Sequence, residues 1–188
     1  PERIREEWCK ALKARHARRA FELMQDHGLL ELTAPELADL RGCSQNRHHA
    51  YDVWEHTLRV LDEVATPDIS LRLPALLHDL GKPGTRATHP ITGEATFYQH
   101  ELLGAKLAIA LLHRLRFSNE VKDRVGHLVR NHLVVYSPTW SDAAVRRWIR
   151  RVTPERIDDI LALVRADILG KRPDVDDELA QVEQLRQR

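Results

Sequence analysis

This 188-residue chain has few cysteines, no long apolar run and almost no net charge. Cys9 and Cys43 stand in unrelated contexts without Cys-x-x-Cys spacing, which argues against a disulfide framework, a zinc ribbon or a thioredoxin-type site and suits a reducing compartment. No stretch approaches the roughly 20 apolar residues that span a bilayer, and no charged-then-apolar signal segment opens the chain. A soluble, cytoplasmic protein without a membrane partner is the expectation. With 29 Lys and Arg against 28 Asp and Glu, net charge does not announce a nucleic-acid partner, so local patches must make that case. Internal repeats, low-complexity segments and convincing period-two alternation are also missing.

What is present is helical periodicity. Apolar residues recur at helix spacing, as in Ile4, Trp8 and Leu12 and then Ala20, Phe21 and Met24, so the fold class is all-α. Helices are predicted over 2–27 (broken near 15), 35–40, 50–65, 69–80, 98–116, 119–133, 141–151, 154–169 and 175–187. Gly28, Gly81 and Gly170 read as left-handed C-caps. Thr33, Ser118 and Thr153, each followed by Pro or Glu, read as helix starts. The long irregular stretch from Gly81 to Phe97 is of a length that is more often functional than idle. A soft boundary near 42–49 separates an amino-terminal arm, 1–45, from a helical domain, 46–188.

Functional candidates begin with His78-Asp79, at the end of the apolar run Ala75-Leu76-Leu77 and ahead of Leu80-Gly81-Lys82. Burying a carboxylate there costs several kcal/mol unless it is paired or metal-bound, and the adjacent imidazole is a second ligand type that divalent ions favour. His56, His100, His132 and Asp167 lie on separate predicted helices, each beside apolar positions, and a helical bundle can gather such side chains into one interior site. Any one of them alone reads as a structural residue.

The order His56, His78-Asp79, His100, His132, Asp167 resembles the HD superfamily of metal-dependent phosphohydrolases. That resemblance implies one ion held by His56, His78, Asp79 and Asp167, and a second, bridged through Asp79, held by His100 and His132. A closer resemblance covers nearly the whole chain. Glu2-Arg3-Ile4-Arg5-Glu6-Glu7, His27-Gly28-Leu29-Leu30, Pro35-Glu36-Leu37 and Tyr51-Asp52-Val53-Trp54-Glu55-His56-Thr57-Leu58 are similar to the carboxyl-terminal part of bacterial CCA-adding tRNA nucleotidyltransferases and poly(A) polymerase-type proteins, where a helical RNA-binding neck precedes an HD domain. The nucleotidyltransferase head has no counterpart here: no sheet segment with a Gly-rich turn and paired acids is present, and Asp174-Val175-Asp176 reads as a solvated helix cap.

These readings imply a phosphohydrolase acting on nucleotides or RNA 3′ termini, with cyclic phosphodiesters or phosphomonoesters as substrates and tRNA as a partner. The alternative is a noncatalytic tRNA-binding module, or a portion of a CCA-adding enzyme. The His-rich ligand set suits Mn, Fe, Co or Ni better than Mg, as one ion or two. Asp79 would anchor or bridge the ions. Lys82 is a candidate phosphate donor or helix-dipole partner, and Arg59 and Arg86 are within plausible reach of a phosphate. His16, His27, His89 and His113 read as surface or loop residues, and His48 and His49 as lining an entrance or playing a structural part. His127 lies five positions before His132 and points another way. Two basic patches, Lys10, Lys13, Arg15, Arg18 and Arg19 in the arm and Arg146, Arg147, Arg150 and Arg151 near Trp148, are either RNA contacts or solvated helix faces.

Overall fold

A computed structural model describes residues 1–46 and 50–188; the expectation for His48 and His49 lies outside the described residues. The arm holds α1 (Glu2–Lys13), α2 (Ala17–Asp26), α3 (Leu29–Thr33) and α4 (Pro35–Ala38). Next come α5 (Val53–Glu63), α6 (Ile69–Leu77), α7 (Lys82–Thr85), α8 (His100–Arg114) and α9 (Asn119–Asn131). The chain closes with α10 (Asp142–Val152), a 3-10 turn at Pro154–Arg156, α11 (Ile157–Lys171) and α12 (Asp176–Arg186). Strands β1 (Ala87–Thr88) and β2 (Ala95–Thr96) pair antiparallel, Ala87 opposite Thr96. No helix of the described residues is long and apolar enough to cross a membrane.

The break between α1 and α2 has a tertiary cause. No Gly or Pro stands at residues 13–16; instead the buried Arg72 of α6 donates to the carbonyls of Leu12 and Ala14 at the end of α1. Those carbonyls lack helical partners, and the guanidinium satisfies them. Trp8 and Phe21 meet edge to face across the break, ring centroids 5.3 Å apart.

One apolar cluster runs from the arm (Trp8, Leu12, Phe21, Leu30, Leu37) into α5, α6, α8 and α9. A second joins α5 through Val60, and Val64 just after it, to α10, α11 and α12, and includes Trp148, Val152 and Ile160. Helix α5 belongs to both, and its buried His56 is one of the polar residues enclosed with them.

Several local expectations are corrected. Gly28 does take a left-handed φ of 70°, and Ser118 does cap α9 by accepting from Val121 N–H. Gly81, by contrast, has φ −79°, and Gly170 lies inside α11 rather than after it. Both are glycines because of close approach: an added Cβ would sit 2.1 Å from the His100 carbonyl oxygen at Gly81, and 2.6 Å from Val60 Cγ2 at Gly170. Thr33 returns its hydroxyl to Leu29 O, and Thr153 (φ 61°) bonds Val152 O, so neither caps a helix. The stretch 81–97 contains α7 and the β1–β2 pair, and α3 forms where no helix was expected; elements of four or five residues carry too little periodicity to be read.

Candidate metal centre

Six side chains converge from separate elements. His56 lies within α5 and Asp167 within α11; His100 opens α8, and His132 caps the end of α9. His78 caps α6, and Asp79 falls in the turn before α7. That ending matters, because in an uninterrupted helix consecutive side chains diverge by about 100°, whereas here both face the same interior. His56, His78 and Asp167 form one triad and Asp79, His100 and His132 another, the ligand atoms of each lying within 4.8 Å of one another. Asp79 joins them: Oδ2 is 3.1 Å from His78 Nε2 and 3.5 Å from His56 Nε2, and Oδ1 is 3.4 Å from His100 Nε2 and 3.9 Å from His132 Nε2. His56 Nε2 is 3.0 Å from Asp167 Oδ1.

The imidazoles are oriented from behind. Nδ1 of His78, His100 and His132 donates to the carbonyl three residues earlier, Ala75, Phe97 and Val129, at 2.7–2.8 Å. Each bond assigns the proton to Nδ1 and leaves Nε2 aimed inward with its lone pair, the arrangement metal-binding histidines use. His100 reaches its place through Gln99, a non-glycine residue at φ 62°.

All six residues are buried, and four of them, Asp79, Asp167, His78 and His132, are shifted by burial and by their charged neighbours. Burial pushes the Asp79 carboxyl up, but His78, Lys82 and His100 outweigh it and hold the group well below the carboxylate range. Burial raises Asp167 likewise, against Lys171 and His56, with the same outcome. For His78 burial lowers and Asp79 raises, leaving it above its ordinary value, whereas burial and the neighbouring His78 push His132 down to about 3.

This donor set fits divalent cations. Neither oxygen of Asp79 and not Nε2 of His100 takes part in a hydrogen bond of ordinary geometry, although all three atoms are buried and Oδ2 faces the Lys82 ammonium; acceptors so placed have capacity left for a cation. Imidazole nitrogens with carboxylate oxygens suit borderline transition ions.

The other expected residues are distributed unevenly. Lys82 is buried, and its ammonium lies 2.7 Å from Asp79 Oδ2 and donates to Gln45 Oε1 at 2.6 Å. It begins the one-turn helix α7. Arg59 bonds Glu55 and lies over the Tyr51 ring, and Arg86 bonds Ser44; neither lines the cleft at the centre. In the arm, Arg18 is partly buried between Glu22 and Glu55, Arg19 also meets Glu22, and Lys10 meets Glu7, while Lys13 and Arg15 are exposed. His127 donates from Nε2 to Val152 O, 2.9 Å away, and is no part of either triad. Sequence reasoning missed Gln45, Phe97, Tyr98 and Lys171. Lys171 had a signal, the i,i+4 spacing from Asp167, which it approaches to 3.5 Å; the others come from loops without periodicity.

A cleft of about 330 Å³ opens onto the centre, with Asp79, Lys82, His100, His132, Asp167 and Lys171 among its walls and Phe97 and Tyr98 beside them. A buried His/Asp cluster gathered from several helices at the base of such a cleft defines a helical metal-binding domain. The HD domain model matches residues 47–178, and the chain belongs to the HD domain family. Residues 1–40 match the model described as the probable RNA and SrmB-binding site of polymerase A.

Similar proteins include the A-adding tRNA nucleotidyltransferase of Deinococcus radiodurans, 37% identical over 88% of this chain and 38% of that protein. The CC-adding tRNA nucleotidyltransferase of Thermus thermophilus is 38% identical over 91% of this chain and 40% of its own length. The Multifunctional CCA protein of Cupriavidus necator is 32% identical over 92% and 43%. The chain thus spans about two-fifths of the length of these relatives.

Proposed function

We propose that this chain is a divalent-metal-dependent phosphohydrolase acting on phosphoesters of nucleotides or RNA 3′ termini, cyclic phosphodiesters and phosphomonoesters being the substrate class. The observation that carries this reading is the pair of triads joined by Asp79, which belongs to one and lies against the other, on the wall of an open cleft. His56, His78 and Asp167 would hold one ion, His100 and His132 the other, with Asp79 between them. Bound there, divalent ions lower the pKa of water and offset charge on phosphoryl oxygens.

The remaining chemistry belongs to the chain. Asp79 and Asp167 stay ionised, and the imidazoles pinned at Nδ1 keep their lone pairs directed inward. Lys82 and Lys171 bring two ammonium groups to the cleft, where they can donate to phosphate oxygens as point charges. Phe97 and Tyr98 give the wall an aromatic surface beside those cations, which suits a nucleoside more than a bare phosphate.

A second reading, a noncatalytic tRNA-binding module or a portion of a CCA-adding enzyme, is favoured by the match of residues 1–40 and by the names of the relatives. In that case the metal is structural. Residues 174–176 give it no polymerase site: Asp176 merely opens α12.

Phosphate release from 2′,3′-cyclic AMP and from p-nitrophenyl phosphate, measured with Mn, Co, Ni or Mg, separates the two. Turnover that disappears on chelation and in Asp79→Asn is expected. Metal bound at the expected stoichiometry without turnover on either probe would overturn the hydrolase reading and leave the second.

A further inference from the structure

Helix α10 bears four arginines that the metal centre does not use. Val145, Trp148 and Val152 face the core, and Arg146, Arg147, Arg150 and Arg151 are all exposed on the opposite side. Among the described residues, none of the four makes a side-chain hydrogen bond or ion pair. The one acid of this helix, Asp142, is already engaged by Arg188. Arg146 with Arg150, and Arg147 with Arg151, are like charges at i,i+4, a spacing that destabilises a helix. The dipole accounts for Arg150 and Arg151 in the last turn, not for Arg146 and Arg147 in the middle.

The end of this helix is fixed beside the metal centre. His127 of α9 bonds the Val152 carbonyl, which holds Arg151 against α9, and Arg130 follows His127 by one turn on the same side. Glu101, His127, Arg130, Asn131, Leu133 and Arg151 enclose a polar cleft of about 650 Å³. Glu101 is its one carboxylate, 4.0 Å from His100 Nδ1. Arg130, like the α10 arginines, has no side-chain partner among the described residues. Leu133, adjacent to His132, lines both this cleft and the one at the metal centre. The two clefts therefore adjoin.

We propose that the Arg130–Arg151 cleft is a second phosphate-binding site, and that with the α10 arginines it guides a single-stranded RNA whose terminal phosphoester lies at the metal centre. This deepens the hydrolase reading and rests on it for the position of the terminus. Two guanidiniums without carboxylate partners, next to a site for one phosphoester, match a polymer that repeats its phosphates; a mononucleotide would leave them unused. A terminus must be unpaired to enter a cleft of this size, and the exposed Tyr98 offers a stacking surface at its mouth.

The test measures the affinity of a labelled single-stranded RNA of about ten nucleotides as a function of salt, for the wild-type chain, Arg130→Gln/Arg151→Gln, Arg146→Gln/Arg147→Gln and the arm pair Lys13→Gln/Arg15→Gln. Each α10-side pair is expected to weaken binding about tenfold and to lower the salt slope by about 1.4, two contacts at roughly 0.7 each for a single strand. Arg130→Lys/Arg151→Lys should recover most of the loss, which a folding defect would not. The preference for RNA over p-nitrophenyl phosphate should fall with the affinity. Unchanged affinity and slope in both pairs, or a loss confined to the arm pair, overturns the proposal. A wild-type chain that binds RNA in this pattern but turns over neither probe would strike the hydrolase reading and leave the binding surface standing.

Discussion

Replacing Gly81 by Ala tests whether backbone contact, rather than backbone conformation, shapes the metal centre. At φ −79° alanine is unstrained, and the change should stabilise by about 0.4–1 kcal/mol through the unfolded chain if nothing else intervened. The new Cβ, however, would lie 2.1 Å from the His100 carbonyl oxygen and 2.7 Å from Gly104 N. A carbon–oxygen contact relaxes near 3.3 Å, so the α6–α7 turn and the start of α8 must separate by about 1 Å. Both obstacles are backbone and neither can rotate away. Overpacking of this kind costs about 3 kcal/mol, which for a chain of this size lowers Tm by about 6–12 °C. The separation also carries His100 away from Asp79, so affinity for an ion at that triad should fall more than tenfold, as when a supporting group is lost. Gly84→Ala is the control: its Cβ meets only the Leu103 Cδ2 methyl, at 2.8 Å, which can turn aside at a cost below about 1 kcal/mol. Thermal melts in chelator, with manganese binding followed by calorimetry, measure both effects. A Gly81→Ala chain that melts within about 2 °C of wild type and binds manganese equally well would refute the reasoning.

Other outcomes follow from the charges. In metal-free protein His132 is held neutral in the fold, down to about 3, but takes a proton near 6.5 when unfolded. Its contribution is therefore intact above pH 6.5 and is lost as pH falls toward 3, by up to about 1.4 kcal/mol per pH unit. Asp79 and Asp167, depressed in the fold, add a second loss starting near pH 4, whereas the raised His78 contributes below about pH 6.5 and loses that as pH rises through its folded value. Urea midpoints at pH 5 and 7 should converge in His132→Gln; an unchanged difference would exclude His132 as its source. Arg18→Gln should cost about 1 kcal/mol through its partly exposed pairs with Glu22 and Glu55, read as a Tm lower by about 2–4 °C, and should alter the RNA salt slope less than Arg15→Gln does. Manganese should raise Tm progressively with concentration in wild type and not in Asp79→Asn, as mass action requires.

Long helices were legible because α5 and α9 keep an apolar stripe and because α8 and α11 are apolar over most of their length, too long for a strand. The polar residues at the centre stood out for a complementary reason: His78, Asp79, His56 and Asp167 interrupt runs that only a core explains. Which residue shares a triad with which came from the family resemblance and not from spacing, since it depends on how α8 and α11 cross α5 and α6. Gly81 and Gly170 were misread because a glycine required by a neighbouring backbone looks, in one dimension, the same as a glycine ending a helix. Arg18 stood in an acid-free stretch, yet besides Glu22 one turn on it pairs with Glu55, 37 residues away. Charge patterns along a chain do not reveal partners across a fold.

The six converging side chains extend from residue 56 to residue 167, and no two neighbours in the set except His78 and Asp79 lie within one element or turn. An unfolded or half-made chain has no local segment able to imitate this arrangement, because His78-Asp79 offers only two donors and the others join by closing long loops. Metal capture then comes last in the life of the polypeptide and reports that assembly is finished. A truncated or nicked chain would surrender its ions before it lost much helix, so metal content would be a more sensitive gauge of intactness than circular dichroism.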